Sequence, residues 1–492
     1  MNMSEMLSKR SKWTYTTSGL GRDMMYALYS TYLIVFFTDA LGLSNWALVA
    51  VGVVIAVARI WDAINDTLMG IIIDNTKSKY GKFKPWLLIG AITSALMFFL
   101  LFQDFGLSGG WFVLVFTIIY VMSDMTFTMN DIAYWSMYPT FSNDPKERES
   151  IGSKARIFAN LGMFLTIALV PIIYQNFAGG PKQAFFWIAL VIASIYLLSQ
   201  ILVFFIVEQP HNPLADVKQP KTSLKDVIKI ITKNDQLMVI IVAIFLFNSG
   251  YYITTSLGIY FFNYDFNKYG GAEFTIFSGI LAISQLTALS LFPVLAKKIT
   301  RKQIFTIAIG LIMVGYLLFL TAGNVLPKTM LVVGLAGFFI FFGEGFIQVS
   351  VLVMLADTIE YGQWKLKTRN ESVVFAINPF VVKLATSVQI LVVTLTLAWS
   401  GLNDKVIKPL TNAREAAALL GTPWTTEQSR DFIASNVTDS MLLALRVSMI
   451  VLPALFILGA YLVYRKFYKI DYALFDKIKA DIALDLEKGE KS

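Results

Sequence analysis

In the segment ARIWDAINDTLMG, Arg59, Asp62 and Asp66 stand three and four residues apart, with Asn65 beside them. On a helix that spacing sets the three charges on one face. A second stretch, TFTMNDIAYW, places Thr128, Asp131 and Trp135 at the same intervals. Two carboxylates one turn apart, an Asn carbonyl and a Thr hydroxyl from a facing helix are the oxygen ligands a hard monovalent cation takes, by analogy with the divalent ions. Crowded carboxylates also bind protons, so Na+ at Asp62 and Asp66 is the first expectation and H+ the alternative. Trp135 adds a flat apolar ring on the Asp131 face. Such a ring stacks on the C–H face of a sugar while carboxylates and guanidiniums take the hydroxyls. Arg22, Asp23, Arg156 and Lys383 supply further charges in or beside apolar stretches. The structural alternative is interhelical ion pairing, for example Arg59 with Asp62 or Lys383 with Asp131. For Trp135 and Tyr26 it is packing or an interfacial belt. Asp124, one turn before Thr128, either faces a neighbouring helix or lies near a rim.

The elements that carry these residues are membrane spans. The 492 residues are 56% hydrophobic and only 15% charged, with a mean hydropathy of +0.63. Apolar runs recur from end to end, each long enough to cross a hydrocarbon core of about 30 Å as a helix. Twelve helices are expected near 24–42, 47–69, 86–103, 111–138, 156–177, 183–207, 237–264, 273–296, 304–322, 330–356, 371–400 and 441–464. The expected class is an all-α integral membrane protein whose partner is the lipid bilayer. An ionised side chain at the centre of such a span costs about 2.5–3.5 kcal/mol, so the charged faces above must turn toward the bundle or a wet cavity. This composition excludes soluble enzymes, disulfide scaffolds and nucleic-acid readers. With no cysteine and one histidine, His211 in a polar stretch, no thiolate or histidine metal site is expected, and no cofactor. MNMSEMLSKRSKW leads into no apolar region with a cleavage site, so no signal peptide is expected.

The polar stretch 208–236 divides the chain into two six-helix halves, 1–207 and 237–464, followed by a tail, 465–492. A faint echo supports duplication: RES at Arg148 to Ser150 is matched by RNES at Arg369 to Ser372. On the side holding both termini lie 31 of the 41 Lys and Arg, which places both termini in the cytoplasm of a multi-pass cell-membrane protein. The tail sets Ile470, Leu474, Ile478 and Ile482 on one helical face among lysines, which reads as an amphipathic helix on the inner leaflet. After the second run, Gly70 and Asp74 followed by TKSKYGKFKPW combine a close-packing glycine, an acid and a basic turn, the make-up of a gate. Arg148, Arg369 and Glu371 are expected to belong to the gate as well.

Two long blocks, ARIWDAINDTLMGIIIDNTKSKYGKFKPWLLIG (58–90) and ADTIEYGQWKLKTRNESVVFAINPFVVK (356–383), carry a resemblance. The chain resembles the glycoside–pentoside–hexuronide:cation symporters of the major facilitator superfamily. The resemblance implies a major facilitator fold of two pseudo-symmetric six-helix bundles and import of a glycoside or oligosaccharide by alternating access, driven by a monovalent cation. It implies a cation site at Asp62, Asn65, Asp66 and Thr128, with Asp131 near both ligands. It places Arg22, Asp23, Trp135 and Arg156 in the sugar site, and Lys383 as a charge that links the halves. Four positions depart from melibiose permease, a member of that family: Arg22 stands for Lys, Gln348 for Trp, and Tyr26 and Pro379 also differ. Arg22, Tyr26 and Gln348 therefore count as sugar-site residues that alter the choice of sugar. Arg59, with Lys383, is expected to balance the acids. The 401–440 loop is longer than the family's usual one, and no phosphorylatable regulatory domain is expected after the last span. A carrier that acts as a monomer is expected. The rival within transport is a sodium-coupled carrier of lysolipid-like amphiphiles, which share this fold.

Overall fold

The computed structural model describes residues 8–141, 145–208, 230–266, 268–367 and 371–489. In hydrocarbon every backbone N–H and C=O must be satisfied within its own segment, so the apolar runs become long helices. These are α1 (Lys9–Val35), which runs on into a π turn (Phe36–Ala40), α2 (Asn45–Asn75), α3 (Lys84–Leu101), α4 (Gly109–Met137), α5 (Pro145–Asn176) and α6 (Gly180–Ile206). They are followed by α7 (Asp235–Tyr260) with a π turn (Phe261–Asp265), α8 (Ala272–Ala296), α9 (Arg301–Thr321), α10 (Met330–Leu366) and α11 (Glu371–Trp399). Two short helices come next, α12 (Lys408–Leu419) and α13 (Thr426–Asn436). The last span is α14 (Asp439–Arg446), a π turn (Val447–Val451) and α15 (Leu452–Phe467), and the chain closes with α16 (Tyr472–Gly489). Among the described residues, eleven helices are long and apolar enough to cross a membrane, and α1 is the further long helix.

Several helices reach beyond the expected bounds, α2 among them by six residues to Asn75. Helix α1 begins at Lys9 instead of residue 24, because its early turns carry Ser11, Thr16, Ser18 and Arg22, polar yet buried in the protein. The Ser8 side chain caps it by accepting from the Ser11 N–H at 3.1 Å. Helix α5 starts at Pro145, and α10 continues ten residues past 356 to Leu366, ending at Lys367 in the left-handed region (φ 58°). The predicted linker residues 209–229 lie outside the described residues.

The chain folds into two compact units, which are not the two sequence halves. The first joins Met1–Lys218 with Ile259–Ser278 and Thr394–Leu443, and the second joins Gln219–Gly258, Gly279–Val393 and Ala444–Ser492. In the first unit α1 packs on α5 and α6, α2 on α4, and α3 on α4 and α6. The close crossings need glycine: a Cβ on Gly162 of α5 would lie 2.2 Å from the Leu20 carbonyl oxygen. Tyr15 and Tyr134 stack at 4.4 Å. Each donates its hydroxyl to the other's carbonyl, at 2.9 and 3.0 Å, which fixes α1 against α4 just below Arg22.

The stretch 401–440 is a pair of helices rather than a loop. From α12, the Thr411 hydroxyl donates to the Thr38 and Asp39 carbonyls at 3.2 Å. Arg414, buried, donates to the Tyr269 hydroxyl at 2.7 Å and to the Gln175 carbonyl. A capping box, Thr425 with Gln428, starts α13.

In the second unit α9 packs on α10, and α16 also lies on α10. The tail's apolar face is therefore not spread on lipid, as its pattern suggested. Ile470, Leu474, Ile478 and Ile482 pack with Tyr361 and Trp364, and the Trp364 indole N–H donates to Asp481 at 3.0 Å.

Candidate functional site

Helix α2 starts at a Ser44 cap and carries Asp62 and Asp66 on consecutive turns. Its packing against α4 brings both acids to Thr128, whose hydroxyl lies 3.2 Å from Asp62 Oδ1 and 3.3 Å from Asp66 Oδ1. Asp62 and Thr128 are each 4% exposed. Asn65 is buried beside them with its Nδ2 unmatched, so an amide remains to orient toward a further ligand. The donor set is two carboxylates, one hydroxyl and one amide, which fits a hard monovalent cation. Arg59, one turn earlier, lies over the Tyr29 ring at 5.1 Å, and the Tyr29 hydroxyl reaches Asp124 Oδ1 at 3.5 Å. Asp124 is buried and so faces a neighbouring helix rather than a rim.

The proposed sugar residues of α1, α4 and α5 also come together. The Arg22 guanidinium, 4% exposed, pairs with Asp131 and reaches Asp23 Oδ1 at 3.4 Å. It lies 4.8 Å from the ring centroids of both Tyr134 and Trp135, while Arg156 lies 5.1 Å from that of Trp135. Trp135 thus carries two guanidiniums. Asp131 keeps its side chain 38% exposed, so the carboxylate is reachable from an opening. Its ion pair is to Arg22, where the sequence alternative had offered Lys383. Tyr26 turns outward, 40% exposed, with its ring on Phe127 at 6.3 Å.

Gln348 and Lys383 belong to the second unit. Gln348 donates to Glu344, and the Lys383 carbonyl accepts from the Thr386 and Ser387 hydroxyls at 2.8 and 3.1 Å. Of the gate residues, Gly70 lies in α2 with open space where a Cβ would go. Arg369 lies outside the described residues, as do the side chains of Asp74, Arg148 and Glu371.

The buried acids that escaped the sequence reading include Asp39 and Glu344. Asp39, in the π turn after α1, accepts from the Tyr174 hydroxyl at 3.0 Å and from Thr38 at 2.8 Å. Glu344 lies within an apolar run of α10. The signal was there in both cases, an acid inside or at the end of a span.

The family described as MFS/sugar transport protein matches residues 14–472. A lactose permease of Leuconostoc lactis is 33% identical over 395 residues, which cover 75% of this chain and 60% of that protein. The chain thus spans less than two thirds of that relative's length. An isoprimeverose transporter of Lactiplantibacillus pentosus is 29% identical over 404 residues, covering 80% of this chain and 81% of that one. Among solved structures, the nucleoside transporter NupG superposes with a TM-score of 0.56 at 13% identity, over 92% of this chain and 98% of that one. That likeness shows the fold, a major facilitator architecture of membrane helices.

Proposed function

This chain belongs to the MFS/sugar transport protein family, and we propose that it is a cation-coupled importer of a glycoside or oligosaccharide working by alternating access. The observation that carries the reading is Thr128, whose one hydroxyl lies within hydrogen-bond distance of two acids on the facing helix, Asp62 buried and Asp66 half-buried. A lone structural acid needs no such partner set, whereas an ion that must be stripped of water does. Sodium sits at Asp62, Asp66 and Thr128, with Asn65 completing the shell. The sugar binds one to two turns further along α4, between Asp131, Asp23 and the guanidiniums of Arg22 and Arg156, with a ring face on Trp135. Tyr26, exposed, lines the approach, and Gln348 keeps the sugar-site role read from the sequence.

Thr128 and Asp131 are one turn apart on the same helix, so a cation drawn to Thr128 alters the setting of the sugar carboxylate through a rigid element. Coupling needs only that each ligand raise the other's affinity, typically by about 1–3 kcal/mol. The Lys and Arg distribution orients both termini to the cytoplasm. The gate role of Gly70, Asp74, Arg148, Arg369 and Glu371 and the charge-balancing role of Lys383 and Arg59 in a monomeric carrier rest on the sequence alone. A polar site of two acids, two guanidiniums and a Trp ring suits a sugar better than an amphiphile's chain. The test is uptake of labelled lactose by proteoliposomes under an imposed sodium gradient, a proton gradient, or neither. Accumulation with sodium is expected; accumulation with protons alone replaces the ion, and indifference to both gradients rejects symport.

A further inference from the structure

The second unit holds a buried acid that neither the cation trio nor the α1/α4/α5 set uses. Glu344 lies mid-way along α10, a membrane-crossing helix, and is 2% exposed. A carboxylate at that depth is costly unless other groups hold it. Neutral amides hold both of its oxygens: Gln285 of α8 donates to Oε2, and Gln348, one turn along α10, donates to Oε1. The Gln285 amide also donates to the Tyr251 hydroxyl of α7 at 3.0 Å. The Tyr251 ring stands edge-on to Phe341. Four polar side chains from three helices therefore converge inside an apolar unit. The cluster is open at one end, since Gln348 is exposed while Tyr251 and Gln285 are half-buried.

Its composition narrows what it can do. A structural ion pair would bring a Lys or Arg, and none pairs with Glu344 among the described residues. A cation cage would bring several anionic or hydroxyl oxygens, and here there is one acid. One carboxylate, two amides and a phenol form a set that both accepts and donates. The carboxylate takes two adjacent hydroxyl donors, in the places the amide N–H groups now hold, and the amides turn to further hydroxyls. With no cation paired to Glu344 among the described residues, the cluster has no positive charge to offset a sugar's own carboxylate, which it therefore disfavours.

We infer that Glu344, with Gln285, Gln348 and Tyr251, is a hydroxyl-reading site of the second unit that admits neutral glycosyl groups and rejects uronic acids. The inference rests on the sugar-transport reading and adds the charge class of the substrate to it. Full-length protein in lipid nanodiscs is titrated with lactose, p-nitrophenyl β-glucoside and p-nitrophenyl β-glucuronide at saturating sodium. The parent binds the neutral sugars in preference to the glucuronide. Glu344→Gln weakens lactose binding by about tenfold or more, narrows the glucoside-to-glucuronide preference, and leaves the half-saturating sodium concentration unchanged. Gln348→Leu, at an exposed position, weakens lactose binding in the same direction and serves where Glu344→Gln does not fold. Parent-like lactose affinity and preference in both variants overturns the inference alone. So does a variant in which only the sodium midpoint or the pH profile moves. A parent that binds none of the three sugars overturns the transport reading with it.

Discussion

Replacing Thr128 by Val keeps the volume of the side chain and removes one oxygen. That hydroxyl is 3.2 and 3.3 Å from the two acids of α2, and in the loaded site its lone pair faces the ion. Losing a hydrogen-bonding group that serves a charge costs about 1.5–3 kcal/mol, which is roughly 10- to 150-fold in sodium affinity. The half-saturating sodium concentration for lactose binding should rise by that factor. Lactose affinity at saturating sodium should stay near the parent's, because in the proposed site Thr128 serves the ion and not the sugar. Thr128→Ser keeps the oxygen and should restore most of the sodium response. The assay is lactose titration of purified protein across a sodium series at fixed ionic strength. An unchanged sodium midpoint in Thr128→Val refutes the assignment of the α2/α4 crossing as the ion site. A loss of lactose affinity that saturating sodium does not recover shows that Thr128 acts on the sugar instead.

Further outcomes follow from other contacts. Trp135→Leu removes the ring that carries Arg22 and Arg156 and should weaken sugar binding at least tenfold, with thermal stability close to the parent's. Gly162→Val drives a side chain into the Leu20 carbonyl and should abolish monodisperse protein on size-exclusion chromatography. Arg414→Ala leaves the Tyr269 hydroxyl and the Gln175 carbonyl without their buried donor and should lower stability in detergent by about 2–5 kcal/mol, read by thermal unfolding. Ile478→Asp should free α16 from Tyr361 and Trp364, seen as faster proteolysis of the tail with an unaltered sodium midpoint. Outside the spans, burial pushes the Asp104 carboxyl up, but its bond to Lys182 and the Gly106 N–H hold it below the ordinary range. A lowered carboxyl contributes stability above its unfolded value of about 3.9 and loses it as pH falls through the folded one. Asp104→Asn should therefore cost under about 1 kcal/mol at neutral pH, since the pair is half in water, and nothing in acid.

Most of the fold was legible because a membrane span is a length and a composition, and both are visible in a sequence. The misses have local causes. Residues 9–23 look polar because the side chains of Ser11, Thr16, Ser18 and Arg22 are buried within the protein, where hydropathy does not measure fit. The same blindness hid the helices of 401–440, although the Thr425 and Gln428 capping pair was a readable start signal. The tail's amphipathic face was seen correctly, but a pattern says only that a face is apolar and not that Trp364 covers it. At the site, helical spacing was enough to pair Asp62 with Asp66 and Asp131 with Trp135. The division of labour was not: which acid meets Thr128 and which meets Arg22 depends on how α1, α2 and α4 cross. Glu344 is a single acid among Phe and Gly, so it shows the charge within a span but none of the clustering that marks α2.

The central claim is that sodium and sugar raise each other's affinity on this chain, and equilibrium binding tests it most directly. Lactose dissociation constants are measured with and without sodium, and sodium constants with and without lactose, on the same purified preparation. The account predicts that both affinities increase by one common factor, about 5- to 150-fold. A factor of one in both directions, with lactose still bound, contradicts it.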